Sequence, residues 1–429
     1  MADTRLEISR LYWRFGFGPL RGESLQGFNQ SAEIVREKAL RIESQGSLVA
    51  DPDVADVGSR PPLTNAVATG AFNTKVRSQI RDLIYWSLDR MALAENPLHE
   101  KMTWFWHGHW ATSVEKVNFA LPMFNQYQTL HKYALGNFKD MAQAMFNDGA
   151  LQIWLDGQDN IAKAPNENLS REMMELFTLG VGNYTEKDVK ELARAFTGFL
   201  VARTTGVMTF NLNRHDKNPV LLLGQNIPSD AQAAINILVA QNANQRFIPM
   251  RLWYRLISSE HEVDASVISA YTQRDISVTV KALSHSSILS DQRYSMVKSP
   301  VEWFIGICRA FGITPSQVGG QSDLVYRSLN KLSQLPFLPP NVGGWPTNEA
   351  WLSAASSQFR VTFSNALLKD ADLSAIAALP VAQRVEKLAD YLGIYKWSSR
   401  TRDALFVARR DIPRMVLLAV NSPEYVVSA

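Results

Sequence analysis

Apolar side chains recur at i, i+3 and i+4 along most of the chain. RSQIRDLIYWSLDRMALAEN (77 to 96) and VAQRVEKLADYLGIY (381 to 395) both carry this spacing, which turns one face of a helix toward a core. Start signals agree with it. Asn96 before Pro97 has the form of an N-cap and first helical residue, and Thr185 with Asp188 makes an acidic variant of the capping box ahead of VKELARAFTGF. The pattern predicts a mainly α, large helical-bundle-like fold.

Two segments depart from helical spacing. Residues 46 to 71, GSLVADPDVADVGSRPPLTNAVATGA, are rich in Pro, Gly, Ala and Asp and read as a long irregular loop. Residues 207 to 224, VMTFNLNRHDKNPVLLLG, place two β-prone runs around a polar centre and predict one small β-hairpin inserted in the bundle. The expectation is a single all-α unit with two lobes: a helical half at 1–200, the hairpin at 201–226 and a second helical half at 227–429.

With 46% hydrophobic and 20% charged residues over 429 positions, the chain can bury a large core. Its 44 basic and 41 acidic residues are interspersed, without the Lys/Arg block that tracks phosphates, which argues against a nucleic-acid partner. No apolar run approaches the roughly 20 residues of a membrane span. The opening MADTRLEISRLYWRFGFGPL lacks the basic and apolar regions of an export signal, so a cytoplasmic location is expected. The single cysteine, Cys308 in VEWFIGICRAFGI, reads as a buried packing residue.

Candidate chemistry sits in four stretches. In MTWFWHGHWATS (102 to 113), His107 and His109 share a side if the backbone is extended and lie about 200° apart if it is helical. Gly108 between them allows a helix end, so metal ligation and a buried, hydrogen-bonded pair both stay open. Trp104, Trp106 and Trp110 read as core, with a sugar-stacking platform as the alternative. In PNENLSREMMELFTLGVGNYT (165 to 185), Leu169, Met173, Leu176 and Phe177 form the apolar stripe of a helix. Glu167, Arg171 and Glu175 make i, i+4 pairs on its far side. Glu172 flanks the stripe without such a pair, and a carboxylate at a core boundary needs a partner. E-x-x-E at 172 and 175 can also project two carboxylates inward, as carboxylate-bridged metal sites require. His215 and Asp216, in the polar centre of the hairpin, read either as ligands or as turn residues. LPPNVGGWPTNEAW (338 to 351) is turn punctuation that Thr347 or Asn348 ends by capping a helix. Trp345 and Trp351 there pack in the core or line a groove. Phosphate-loop, serine-elbow, H-E-x-x-H and strand-linked dinucleotide motifs do not occur.

Taken in order, RLYWRFGFGP, MTWFWHGHWATS, PNENLSREMMELFTLGVGNYTEKDVKELARAFTGF, the HD at 215 with LLLG after it, KSPVEWFIGICRAFGI, LPPNVGGWP and the terminal NSPEYV resemble the DUF1800 family, a bacterial group of undefined function. The resemblance runs nearly end to end. It implies that the recurring family motifs coincide here with His107, His109, Glu167, Arg171, Glu172, Glu175, His215 and Asp216. It also implies a companion protein of the sulfatase-like DUF1501 family, and relatives that often carry export signals.

The leading expectation is a metal-dependent enzyme whose site forms where the 102–113 stretch, the 166–179 helix and the 207–224 hairpin meet. His107, His109 and Glu172 would ligate a divalent Mn, Fe or Zn ion. His215 and Asp216 would be either further ligands or the acid/base pair, with Glu175 as general base or bridge to a second metal. Arg171 and Trp106 would hold substrate. Hydrolysis or group transfer comes first and oxidation at a non-haem metal second. The other expectation is a non-catalytic helical scaffold that binds a partner protein or a glycan.

Overall fold

The computed structural model describes residues 3–41, 49–319 and 323–428. Helices dominate it from Thr4–Arg14 to Pro423–Val426. Ala66–Leu93 follows an N-cap at Asn65, whose side chain accepts from the Ala68 amide. Thr185 and Asp188 form the reciprocal capping box that the sequence predicts, and Ser299 and Glu302 form a second one at the start of Pro300–Phe311. Each satisfies two amides that the first helical turn leaves without partners.

Two helices form the centre. Leu98–His109 is buried except at His99 and Gly108, and Pro300–Phe311 is buried except at Glu302. A helix covered on all sides belongs to the core. Leu98–His109 packs on Ala120–Tyr133, while Pro300–Phe311 packs on Ala66–Leu93. The apolar cluster that results takes residues from Ile8 to Tyr425 and includes Cys308, 1% exposed.

The β-structure differs from the expected single hairpin. The two runs around the polar centre, β2 (Met208–Phe210) and β3 (Val220–Leu222), do not pair with each other. β2 pairs antiparallel with β1 (Phe199–Val201), and β3 with β4 (Gln225–Ile227). Leu223 and Gly224, both at positive φ, close the β3–β4 turn in the left-handed geometry that a two-residue hairpin favours. This local closure captures β3 before it can reach β2. A third pair joins β5 (Met296–Val297) to β6 (Val427–Ser428). The long loop is also shorter than predicted: residues 46–48 lie outside the described residues, 49–65 are irregular, and helix begins at Ala66 rather than after residue 71.

The 338–351 loop lies across the end of the tryptophan helix. Gly344 has φ +82°, and a Cβ there would sit 2.3 Å from the Gly108 carbonyl oxygen. Both the left-handed backbone and the backbone contact require glycine. A Gly344→Ala variant is expected to lose roughly 1–3 kcal/mol of stability and to show altered near-UV dichroism from Trp345, with helical far-UV dichroism retained. Unchanged stability in a denaturant titration would contradict this account.

Candidate functional site

Helix continues through residue 109, so His107 and His109 point to opposite sides of Leu98–His109. His107 Nε2 accepts from the Phe337 amide at 2.9 Å, and its ring packs against Phe337 and Trp345. His109 Nε2 donates to the Phe177 carbonyl at 3.0 Å, leaving Nδ1 buried without a partner. Burial pushes His107 down to about 3. Burial, then the charge of Arg251, pushes His109 down to about 3 against the opposing pull of the Phe177 carbonyl. These are neutral core imidazoles tied to backbone groups.

The carboxylates lie elsewhere. After Asn168–Glu172 the helix widens to a π-helical segment, Met173–Thr178. Bonds in a π-turn run i to i+5, so the i, i+4 geometry expected for Arg171 and Glu175 is lost. Arg171 pairs instead with Glu186, by two bonds of 2.7 and 2.8 Å, and with Glu167 at 3.1 Å. Glu175 accepts from the Tyr184 hydroxyl at 2.7 Å. Glu172 has no hydrogen-bond partner among the described residues. Burial, then repulsion from Glu175, raises its pKa above the ordinary value.

His215 has both ring nitrogens 2.9 Å from backbone carbonyls, those of Thr197 and Ser229. Asp216 bonds Arg194 at 2.7 Å and the Asn218 amide at 3.0 Å. This pair therefore anchors the connector between the two hairpins.

The expected convergence is thus corrected. Among the described residues no three His, Cys, Asp or Glu side chains are grouped to hold a metal ion, and the set His107, His109 and Glu172 is not assembled. His107 engages Nε2 with the Phe337 amide, His215 spends both nitrogens on backbone carbonyls, Asp216 pairs with Arg194, and Arg171 with surface carboxylates. Trp106, 0% exposed, donates its indole N–H to the Ala134 carbonyl at 2.9 Å and so does not reach a substrate.

The structure instead opens a cleft against the face of the same helix that carries Lys101, Trp104, Phe105 and Gly108. Trp104, Phe105 and Gly108 form one wall, and Trp345, Thr347, Asn348 and Trp351 from the loop form the other. Trp104 and Trp345 stack with ring centroids 4.9 Å apart. Lys101, Arg255, Ser299, Glu302 and Gln334 line the floor. Lys101 is ion-paired with Glu302, whose other oxygen accepts from the Ser299 amide at 3.0 Å. Burial raises the Glu302 pKa, but the Lys101 charge and these bonds outweigh it and hold it below the ordinary value. Arg255 donates to the Trp345 carbonyl at 2.8 Å.

Lys101, Arg255, Glu302 and Gln334 carry no spacing signal, because they come from three distant helices and a turn. Trp345 and Trp351 were legible as possible groove residues.

Two buried neutral histidines set the acid behaviour. Below their ordinary value of 6.5 the unfolded chain takes up protons that the folded chain refuses until about 3, so stability present above 6.5 is lost as pH falls. The slope is about 1.4 kcal/mol per pH unit per histidine. Asp148, raised by burial to about 7 from 3.8, works the other way, losing stability as pH rises between those values. In His107→Gln, denaturant titrations from pH 6.5 to 4 should show a slope shallower than wild type by about one histidine's share; identical slopes would mean that His107 is not the buried neutral group described.

Neither curated proteins nor solved structures give a match to the chain. Among the described residues no helix is long and apolar enough to cross a membrane. The family described as Protein of unknown function (DUF1800) matches residues 10–427 of the 429, and the chain belongs to that family.

Proposed function

We propose that this protein is a recognition scaffold, and that the aromatic cleft takes one ring of a saccharide. The observation that carries the reading is the pairing of aromatic rings with polar groups in one narrow recess. Trp104, Trp345 and Trp351 stand around Thr347, Gln334 and Ser299, a combination suited to the C–H face and hydroxyls of a sugar. Gln334 spends its carbonyl on the Val301 amide, which leaves its amide nitrogen available to the cleft. The recess is narrow, since Trp104, Trp345 and Trp351 are only 4–8% exposed. It therefore receives an end group rather than the length of a polymer.

A second reading, the metal-dependent enzyme, keeps one observation in its favour. Half-buried Glu172 has no hydrogen-bond partner among the described residues and is repelled by Glu175, a strain that a divalent cation would relieve. Hydrolysis or group transfer, and after them oxidation, remain the reactions proposed for it. The sulfatase-like DUF1501 companion belongs to either reading as a proposed partner.

The two readings separate experimentally. On a broad immobilised saccharide panel, wild-type protein should bind at least one class, and Trp351→Ala should weaken that binding by about 2 kcal/mol, roughly thirtyfold, with unchanged helical dichroism. A blank panel, or binding indifferent to Trp351→Ala, would sink the scaffold reading. Elemental analysis of protein purified without added metal tests the other: near-stoichiometric Mn, Fe or Zn lost in Glu172→Gln supports it, and metal-free protein under varied supply removes it.

A further inference from the structure

The floor of the cleft has more cations than anions. Lys101 and Arg255 line it. Just behind them Arg251 acts on Arg255 as a like charge, and Lys298 feels Lys101 and Arg14 in the same way. The carboxylate acting on Arg14, Arg255 and Lys298 alike is Glu302, and it is already engaged by Lys101 and by the Ser299 amide. Lys298 relieves its own position by donating to the Tyr425 carbonyl and lying 3.4 Å from the Trp13 ring centroid. Arg255 has no comparable relief. It holds one bond, to the Trp345 carbonyl, and no acid partner among the described residues.

Hydrogen-bond capacity is unbalanced in the same sense. The Trp345 indole N–H is buried without a partner, as is Nε of Arg251. The indole N–H groups of Trp104 and Trp351 have no acceptor among the described residues, nor does the Gln334 amide nitrogen. Among the side-chain acceptors of this floor and wall, Glu302 is engaged as above, Gln334 by the Val301 amide, Ser299 by the Glu302 amide and Asn348 by the Val297 amide at 3.2 Å, while the Thr347 hydroxyl donates to Tyr254. A desolvated site rich in N–H donors and positive charge is complementary to a group that only accepts and carries negative charge.

We infer that the cleft selects a saccharide end group bearing an oxyanion, a carboxylate or a sulfate ester, with Arg255 as its principal charge partner and the indole and amide N–H groups filling the remaining lone pairs. This specificity rests on the saccharide reading of the same cleft. A guanidinium is the suitable group here because its planar donors match two oxygens of either oxyanion at once. Lys101, committed to Glu302, contributes field rather than a bond.

The test compares ligands that differ only in charge. Intrinsic tryptophan fluorescence, reporting from Trp104, Trp345 and Trp351, is titrated with glucose, glucuronate and glucose 6-sulfate at fixed ionic strength. Both acidic sugars, or one of them, should bind at least tenfold more tightly than glucose; which one leads distinguishes carboxylate from sulfate recognition. Arg255→Gln should cancel the difference, and Arg255→Lys, which keeps the charge and a donor for the Trp345 carbonyl, should restore part of it. Glucose binding as tightly as its acidic relatives would overturn the oxyanion assignment while leaving the cleft a sugar site. Preference for acid that survives unchanged in Arg255→Gln, with normal dichroism, would overturn the role of Arg255. Absence of a response to all three sugars in a protein that binds a neutral saccharide on the panel would overturn the inference as well, and a blank panel would take the underlying reading with it.

Discussion

Polar side chains on a helix this deeply buried need indoor partners, and Leu98–His109 organises this protein around the partners that most of them find. Glu100 is met by Arg90 at 2.6 Å and by the Tyr127 hydroxyl at 2.5 Å. Lys101 is met by Glu302, His107 by the Phe337 amide, and His109 by the Phe177 carbonyl. These partners come from the flanking helices, the Pro300–Phe311 helix, the loop before residue 338 and the π-helical segment. Leaving any one unmade would cost about 1–3 kcal/mol, and so the polar side chains of one helix fix the positions of five other elements.

The cleft follows from the same constraint. Pro300–Phe311 is drawn to the tryptophan helix by the Lys101–Glu302 pair, and the 338–351 loop can approach the Gly108 carbonyl only because Gly344 lacks a side chain. Between them remains a recess whose aromatic walls are held by stacking and whose floor inherits the leftover charge. Burial, then the like charge of Arg251, lowers the Arg255 pKa to about 10 against the opposing pull of Glu302. The guanidinium therefore stays charged at neutral pH, a stored electrostatic demand that an anionic ligand can meet.

The π-helical segment shows why Arg171 and Glu175 do not pair as the spacing predicts. Regular helix would have aligned Arg171 with Glu175 and placed Glu172 at the edge of the apolar stripe. One wider turn moves Glu175 onto Tyr184 and frees Arg171 for Glu186. Such a turn has no period of its own to read in six residues. The hairpin error has a similar source: two β-prone runs are visible as runs, but which neighbour each one captures is decided by turns outside the polar centre.

Periodicity, capping residues and turn chemistry are local, and they were enough to determine that this chain is mainly helical, that Thr185 caps a helix, that Cys308 is buried, and that the motifs follow one another as in a single family. The helix expected to start at Pro97 behind an Asn96 cap begins one residue later, at Leu98, with Pro97 in the cap position. Orientation is not local. A histidine is a ligand or a packed imidazole according to which atom of another element reaches it, and for His107 that atom is an amide 230 positions away. Only the tertiary structure could decide that the histidines, the acids and the His-Asp pair part company, and that Lys101, Arg255, Glu302 and the loop tryptophans meet, because burial energy is settled between elements and leaves no spacing along the chain.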